Sequence, residues 1–498
     1  MSWKSTLLRP IAGFIARRVK KRAAKAVEAQ QNILAEHIAR AKSTRFGQDH
    51  DFANISSHKD FKQRVPIRDY EQMRSYFEAA KAGEEDVLWP GRPAYFAKTS
   101  GTTSGAKFIP ITKDSLPNHF GSARDALFCY VAETGHASWI DGKQIFLSGS
   151  PEMEDTNGIP TGRLSGISNH LVPAWLKGSQ LPSYPTNCID DWEEKVEKIV
   201  DETMGADLRL ISGIPPWVQM YYERLLSRSG KETVLEAIPN FEVFVYGGVN
   251  FEPYRASLER LVGRRLPSVE VYPASEGFIA YQDSQKEPGL LLNTSSGIFF
   301  EFIPAQEVFN DNPTRLSVGE VELGVNYAII LNTNAGLWGY NIGDTVEFVS
   351  LNPYRIKVTG RIKHYISAFG EHVIGKEVEQ AMNEVAPQFK AEVVEFTVAP
   401  QVNPTSGLPY HEWLVEFAQA PEDAEGFAQA LDASMVKQNT YYADLIDGKI
   451  LRPLVLTSLP ANSFRTYMRS QGKLGGQNKV PRLADNRKIA DAILTEAK

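Results

Sequence analysis

Thr99-Ser-Gly-Thr-Thr-Ser-Gly-Ala-Lys107 packs five hydroxyls, two glycines and one cation into nine residues. A run so poor in apolar side chains cannot form a core element. Glycines let the backbone fold back so that its N–H groups point into one space, and the hydroxyls and the lysine add donors and charge there. The phosphate oxygens of a nucleotide require that chemistry, and Ser100, Gly101, Thr102, Thr103 and Lys107 are the candidate contacts. The spacing is not Gly-x-x-x-x-Gly-Lys-Ser/Thr, because Phe108 stands where that loop needs a hydroxyl for magnesium. Taken alone, the stretch also fits a flexible surface loop.

Three other clusters sit just past apolar runs. Tyr272-Pro-Ala-Ser-Glu276 offers a carboxylate, and Mg2+ usually takes one or two protein carboxylates plus substrate phosphates; Glu276 is the candidate metal ligand, with Tyr272 and Ser275 as nucleotide contacts beside it. Gly339-Tyr-Asn-Ile-Gly-Asp344 places an acid after a glycine, where it can accept hydrogen bonds from a ribose diol. Gly247-Gly248 presents backbone without Cβ, over which a flat base can lie, and Tyr340 is placed near base and ribose. Each has a plain alternative: Glu276 as a helix-start acid, Asp344 as a turn acid, Tyr340 as a core aromatic.

The elements that must hold these clusters follow from periodicity. Helical pattern runs to about Lys42, and again over Tyr70–Ala82, Ser115–Glu133, Trp192–Met204 and Trp217–Arg228. Ile145–Leu147, Leu208–Ile211, Phe241–Tyr246 and Val269–Tyr272 read as strands, and 151–185 as long loops rich in Gly, Ser and Pro. From Gly297 the texture turns β-rich, which predicts a meander or small barrel. Beyond Gly360 come a strand near Ile366, a helix Lys376–Val385, strands Val393–Val398 and Glu412–Phe417, a helix Pro421–Lys437 and a strand Arg452–Leu456. That order predicts an α+β domain of its own. We therefore expect an α/β chain with a large N-terminal domain, 1–359, carrying a β-barrel-like part, and a smaller mobile C-terminal domain, 360–498.

The 498 residues allow more than one domain, and a net charge of −6 argues against a nucleic-acid binder. Cys129 and Cys188, the two cysteines, make no metal or redox spacing and read as reduced thiols of a cytoplasmic protein. No apolar run approaches the ~18 residues of a membrane span. The first residues are locally basic: Lys4, Arg9, Arg17, Arg18, Lys20, Lys21, Arg22 and Lys25 precede the first acid, Glu28. Leu7, Leu8, Ile11, Phe14 and Ile15 recur among them at helical spacing, which fits a membrane-surface helix or a first helix docked on its own domain; we favour the docked helix.

The joint order of the clusters resembles the adenylate-forming superfamily of acyl-CoA synthetases, nonribosomal adenylation domains and luciferases. Within it the chain is most similar to the Gretchen Hagen three family of acyl acid–amido synthetases. Thr99–Lys107 is similar to the family's Ser-Ser-Gly-Thr-Thr/Ser-x-Gly-x-x-Lys, with the lysine one residue earlier. Tyr272–Glu276 matches Tyr-x-x-Ser-Glu, and Tyr340–Asp344 matches Tyr-Arg-x-Gly-Asp with Asn341 in the arginine's place. Gly360–Lys363 and Gly370–Glu379 look like the hinge and the turn that opens the small domain, and Gln477–Arg482 like the near-terminal Gln-aromatic-Lys-x-Pro-Arg, with Asn478 for the aromatic.

The resemblance implies two steps. A carboxylic acid is adenylated by ATP with Mg2+, and an amine, usually of an amino acid, then displaces AMP to leave an amide. It makes Lys479 a catalytic cation of the small domain, Glu276 a catalytic metal ligand, and Asp344 the ribose acceptor. The alternatives are an acyl-CoA ligase with a thiol acceptor and a membrane-surface protein with a degenerate nucleotide site. Phe120, Leu127, Trp175, Ile214 and Trp217 are available for an acyl pocket, and His119, His170 and His372 are candidate bases for the amine.

Overall fold

The computed structural model describes residues 3–99, 107–172, 174–189, 191–248, 251–308, 310–362, 365–366, 373–402, 404–447, 451–472, 480–484 and 486–497. It divides into two compact units. The larger holds Met1–Phe251, Arg255–Ile342 and Val346–Val358; the smaller holds Glu252–Tyr254, Gly343–Thr345 and Thr359–Lys498.

The larger unit opens with two helices, α1 (Trp3–Ala23) and α2 (Ala26–Ala41). A first hairpin follows, β1 (Tyr95–Thr99) and β2 (Lys107–Ile111), then the helix Leu116–Thr134. Next come β3 (Lys143–Phe146), β4 (Glu154–Thr156), β5 (Ile159–Gly162), β6 (Gln180–Leu181), β7 (Leu208–Ser212), β8 (Val243–Gly247) and β9 (Ser268–Ala274). The run ends with β10 (Gly277–Tyr281), β11 (Leu290–Leu292), β12 (Ile298–Pro304), β13 (Asn326–Thr333), β14 (Tyr340–Leu351) and β15 (Tyr354–Arg361).

Two sheets result among the described residues. A small one has the order β2-β1-β5-β4, and an eleven-stranded one the order β12-β13-β14-β15-β11-β10-β9-β8-β7-β3-β6. The large sheet has two halves. β6, β3, β7, β8 and β9 run parallel, joined by helices such as Pro215–Ser229 and Glu252–Val262, because a parallel return needs a crossover. At β9 the direction changes: only Ser275-Glu276 separates Ala274 from its partner Gly277, and a connection that short allows only an antiparallel return. β10, β11 and β15 continue antiparallel, and β12 pairs β13 in the same sense. The β-rich segment from Gly297 thus extends the parallel sheet as a meander. One core cluster packs Phe46, Phe52, Phe61, Phe77, Trp89, Trp338 and Tyr340 against β12 and β13 residues.

In the smaller unit, β16 (Tyr365–Ile366) pairs β17 (Val373–Ile374), followed by the helix Gly375–Val385. β18 (Glu392–Gln401), β19 (Tyr410–Gln419) and β20 (Val455–Leu459) form a sheet in that order, antiparallel then parallel. The helices Gly375–Val385 and Ala424–Gln438 bury Val378, Met382, Phe427 and Leu431 with Phe396 and Trp413 of the sheet. The helices Ser463–Ser470 and Lys488–Glu496, absent from the sequence reading, pack Phe464, Tyr467, Ala490 and Ile493 with Ala399 and Leu414.

Two other sequence expectations change. The helix expected from Tyr70 begins at Arg74, which leaves Tyr70 in the turn before it. The 151–185 segment contains β4, β5, β6 and short helices such as Leu164–His170, each too brief to show a period.

Candidate active site

The parallel half of the large sheet sets the site's frame. Register aligns Phe146 of β3 with Ser212 of β7, Ser212 with Val245 of β8, and Val245 with Val269 of β9. Beyond that row the four strands deliver Ser148-Gly149, Gly213-Ile214, Gly247-Gly248 and Tyr272–Glu276 at one edge of the sheet. In open α/β sheets, ligands bind outside the carboxyl ends of such strands.

Gly247 has a steric reason to be glycine. It pairs with Val271, and a Cβ on it would lie 2.2 Å from the Val271 carbonyl oxygen. Gly248 has φ +80°, a left-handed conformation that glycine adopts without strain. The structure therefore brings Gly247 and Gly248 beside the β9 end that carries Tyr272, Ser275 and Glu276. The ring of Tyr272 is buried, and its strand position pairs with Ala280. Ser275 and Glu276 form the hairpin tip and are half-buried, so Glu276 is a strand-end carboxylate and not a helix-start acid.

A buried amide holds this hairpin from below. The Asn118 side chain accepts from the Phe278 N–H at 2.6 Å and donates to the Phe278 carbonyl at 3.2 Å and to Ser296 Oγ at 2.8 Å. Asn293, held by Ser122 at 2.6 Å, donates to the same carbonyl at 3.0 Å. Asn118 and Ser122 lie on the Leu116–Thr134 helix, which starts directly after β2. A single helix thus links the first hairpin to the Glu276 hairpin. The sequence points to His119 on this helix but gives no local signal for Asn118 or Ser122.

The Gly/Ser/Thr stretch joins β1 to β2, whose last pair is Thr99 with Lys107. Ser100, Gly101, Thr102 and Thr103 lie outside the described residues. Lys107 has its ammonium 5.7 Å from the centroid of the buried Tyr70 ring, and the Tyr70 hydroxyl accepts from the Phe108 N–H at 3.0 Å. Burial raises the Tyr70 pKa, which keeps the phenol neutral. Sequence reading missed Tyr70 as well, because its partners arrive only through tertiary packing. It also missed Arg163, an exposed cation whose guanidinium packs on Gly149, so closely that a Cβ there would lie 2.5 Å from it.

Tyr340 is fully buried, with its ring edge-on to Phe77, so its ring is a core aromatic in this structure. Asp344 lies within β14, half-buried, after Gly343 at φ +84°. The Gly343 carbonyl accepts from the Ile362 N–H at 2.7 Å, and Thr345 pairs its buried hydroxyl with Thr359 at 2.8 Å. The Gly-Asp motif therefore sits beside Ile362 and Thr359. Gln477, Asn478 and Lys479 lie outside the described residues. Arg482, three residues on, pairs with Glu379 at 3.5 Å and with Glu395, and the Val398 N–H donates to its carbonyl.

The remaining candidates separate clearly. His119 is buried, burial lowers its pKa to about 4, and its Nδ1 has no partner, so it is neutral at pH 7 and a weak base. His170 bonds the Pro151 carbonyl at 2.9 Å; His372 lies outside the described residues. Trp217 is buried against Trp192 at 4.8 Å, and Leu127 packs on a core cluster, so both are core side chains. Phe120 and Ile214 are half-buried, and the Trp175 side chain lies outside the described set. A separate groove of about 600 Å³, lined by Leu34, Ile38, Phe52, His58 and Phe299, includes none of the strand-end residues.

Residues 15–171 match the GH3 family N-terminal domain, 291–361 the GH3 family central domain and 376–488 the GH3 family C-terminal domain. A jasmonoyl–L-amino acid synthetase of Oryza sativa subsp. japonica, GH3.5, is 24% identical, covering 92% of this chain and 92% of its own. The indole-3-acetic acid-amido synthetase GH3.3 of Arabidopsis thaliana is 25% identical over 91% of this chain and 88% of its own. In fold, the chain is similar to the GH3.15 acyl acid amido synthetase, with TM-score 0.79 and 16% identity over 96% of this chain and 95% of that one. It is similar, more distantly, to a 2-hydroxyisobutyryl-CoA ligase, with TM-score 0.57 and 12% identity over 97% and 91%.

Proposed function

The chain belongs to the GH3 family, and from that premise we propose that it is an ATP-dependent acyl acid–amido synthetase acting in the cytoplasm. In the first step a carboxylate oxygen attacks the α-phosphorus of ATP, the bond to the bridging oxygen breaks, and acyl-AMP and pyrophosphate form. In the second an amine, most simply that of an amino acid, attacks the acyl carbon; the C–O bond to AMP breaks, and an amide and AMP leave with one proton released.

The observation that carries this reading is the edge where β8 ends in Gly247-Gly248 and β9 in the Glu276 hairpin, joined by register. Bringing two anions together requires that their charge be offset by fixed donors and cations. We assign the phosphates to Ser100, Gly101, Thr102, Thr103 and Lys107, the base to Gly247, Gly248 and the Tyr272–Ser275 strand end, and the ribose diol to Asp344. Tyr340 anchors the start of β14, four residues before Asp344. Lys479 is assigned to the reacting phosphate, and the hinge of the small domain to Gly360–Lys363. Among the described residues no group of three or more His, Cys, Asp or Glu could hold a metal by itself. A half-buried carboxylate at a hairpin tip fits a Mg2+ that takes its other ligands from phosphate and water, and the ion would supply charge neutralisation there.

ATP–pyrophosphate exchange over aryl, indolyl and fatty acids tests the first step, and product analysis with CoA or mixed amino acids tests the second. An amide is expected. A thioester without amide would make the chain a CoA ligase, and no exchange with any acid would overturn the assignment.

A further inference from the structure

α1 has two apolar faces. Leu8, Ala12 and Val19 are buried in a cluster with Ala126, Cys129 and Tyr130 of the Leu116–Thr134 helix, so the helix is docked on its own unit. Trp3, Leu7, Ile11 and Phe14 follow one another at four, four and three residues, which sets them along a second stripe. That stripe faces solvent: Trp3 is 71% exposed, Leu7 54%, Ile11 50% and Phe14 55%. These four are among the most exposed large apolar side chains of the described residues, and a contiguous apolar patch of this kind marks an interaction surface.

The charges around the stripe say what covers it. Lys4, Arg17, Arg18 and Lys21 are exposed at positions that flank the stripe, Arg9 and Lys20 are exposed on the other side of the helix, and α1 carries no carboxylate. Arg18 lies over the Phe14 ring at 5.8 Å, so cation and apolar stripe form one surface. Arg22 is spent on the fold, paired with Asp125 at 2.5 Å. A second copy is a poor occupant. A two-fold contact would set the same basic helix against itself, and like charges in a closed interface repel. An anionic lipid surface satisfies both features, with phosphates meeting the lysines and arginines and acyl chains receiving Trp3, Leu7, Ile11 and Phe14. No described helix is long and apolar enough to cross a membrane, so α1 would lie in the surface plane.

We propose that the exposed face of α1 docks the protein on membranes rich in anionic phospholipid. The docking claim stands independently of the catalytic assignment.

Flotation of the full chain with vesicles tests it. The protein is expected to float with phosphatidylglycerol-containing vesicles, to remain in the buffer with pure phosphatidylcholine, and to release at salt that cuts the Debye length to about 3 Å. Trp3→Ser/Leu7→Ser/Ile11→Ser/Phe14→Ser and, separately, Arg17→Glu/Arg18→Glu/Lys21→Glu are each expected to weaken binding about tenfold or more, with unchanged thermal midpoint and pyrophosphate exchange. Absence of flotation, flotation insensitive to both variants, or self-association lost in the stripe variant without vesicle binding would overturn the proposal.

Discussion

Glu276 projects from the tip of a two-residue hairpin, half-buried and outside the core, so its removal leaves no cavity. We expect Glu276→Ala to cut pyrophosphate exchange by about 10²–10³-fold, the scale for losing one fixed electrostatic contact, with the thermal midpoint unchanged. Near-normal exchange would show that the carboxylate does not serve the phosphates. Tyr70 is a different case. Tyr70→Phe takes the acceptor from the Phe108 N–H at the base of the first hairpin, and we expect a loss of about 1 kcal/mol in chemical denaturation. The KM for ATP should rise more than kcat falls, because Lys107 stays but its footing loosens. Glu276 was legible in the sequence because a strand-end acid in a fixed order of motifs is a local signal. Tyr70 was not, because the N–H it accepts from, that of Phe108, lies 38 residues further along the chain.

At the scale of elements, the hairpin and its clamp decide whether Glu276 is held still. Asn118→Ala strips the buried Phe278 N–H of its acceptor, and an unsatisfied buried donor costs about 1–3 kcal/mol. Because the amide touches no substrate in our assignment, kcat should fall while Asn118→Gln, if it reaches the same groups, restores part of it. Gly247→Ala is expected to be harsher. Its Cβ would meet backbone, the Val271 carbonyl at 2.2 Å, and β8 and β9 cannot keep their register, so we expect a loss of about 3 kcal/mol or more by thermal or urea unfolding. The strands β7, β8 and β9 were readable from apolar runs ending in glycine or polar turns, but not their neighbour order. The hairpin itself is not read from the sequence, because the apolar run that reads as a strand stops at Tyr272, two residues short of the Ala274 that pairs with Gly277. The terminal helices Ser463–Ser470 and Lys488–Glu496 went unread since each is little more than two turns.

For the whole molecule, acid should unfold the large unit through groups that burial has set against protons or for them. Glu301 is fully buried; burial raises its pKa, but the Arg315 charge and hydrogen bonds from His58 and Arg315 outweigh this and hold it at about 2. Arg315 grips it through Nε at 3.0 Å and Nη2 at 2.6 Å, and Asn332 donates at 3.0 Å. His37 is buried edge-on to Trp89 and Trp338, its Nδ1 is unpartnered, and burial first, then Arg40, lowers its pKa to about 3. Both groups act in one direction. The unfolded chain takes up a proton on the imidazole near pH 6.5 and on the carboxylate near 4.5, whereas the folded chain resists until about 3 and about 2. Stability is therefore full above pH 6.5 and falls as pH drops, at about 1.4 kcal/mol per unit for each group while it titrates. The histidine contributes from 6.5 down to about 3 and Glu301 from 4.5 down to about 2, so the slope is steepest where the two overlap. Urea denaturation at a series of pH values should show the slope, and His37→Leu should flatten it between 6.5 and 4.5 and leave only the Glu301 contribution below that. Glu301→Gln should cost about 3–5 kcal/mol at neutral pH, because Arg315 is left buried without its counter-charge, and should remove the added slope below 4.5 instead. If both variants keep the wild-type slope throughout, the acid sensitivity resides elsewhere and the buried pair is not its source.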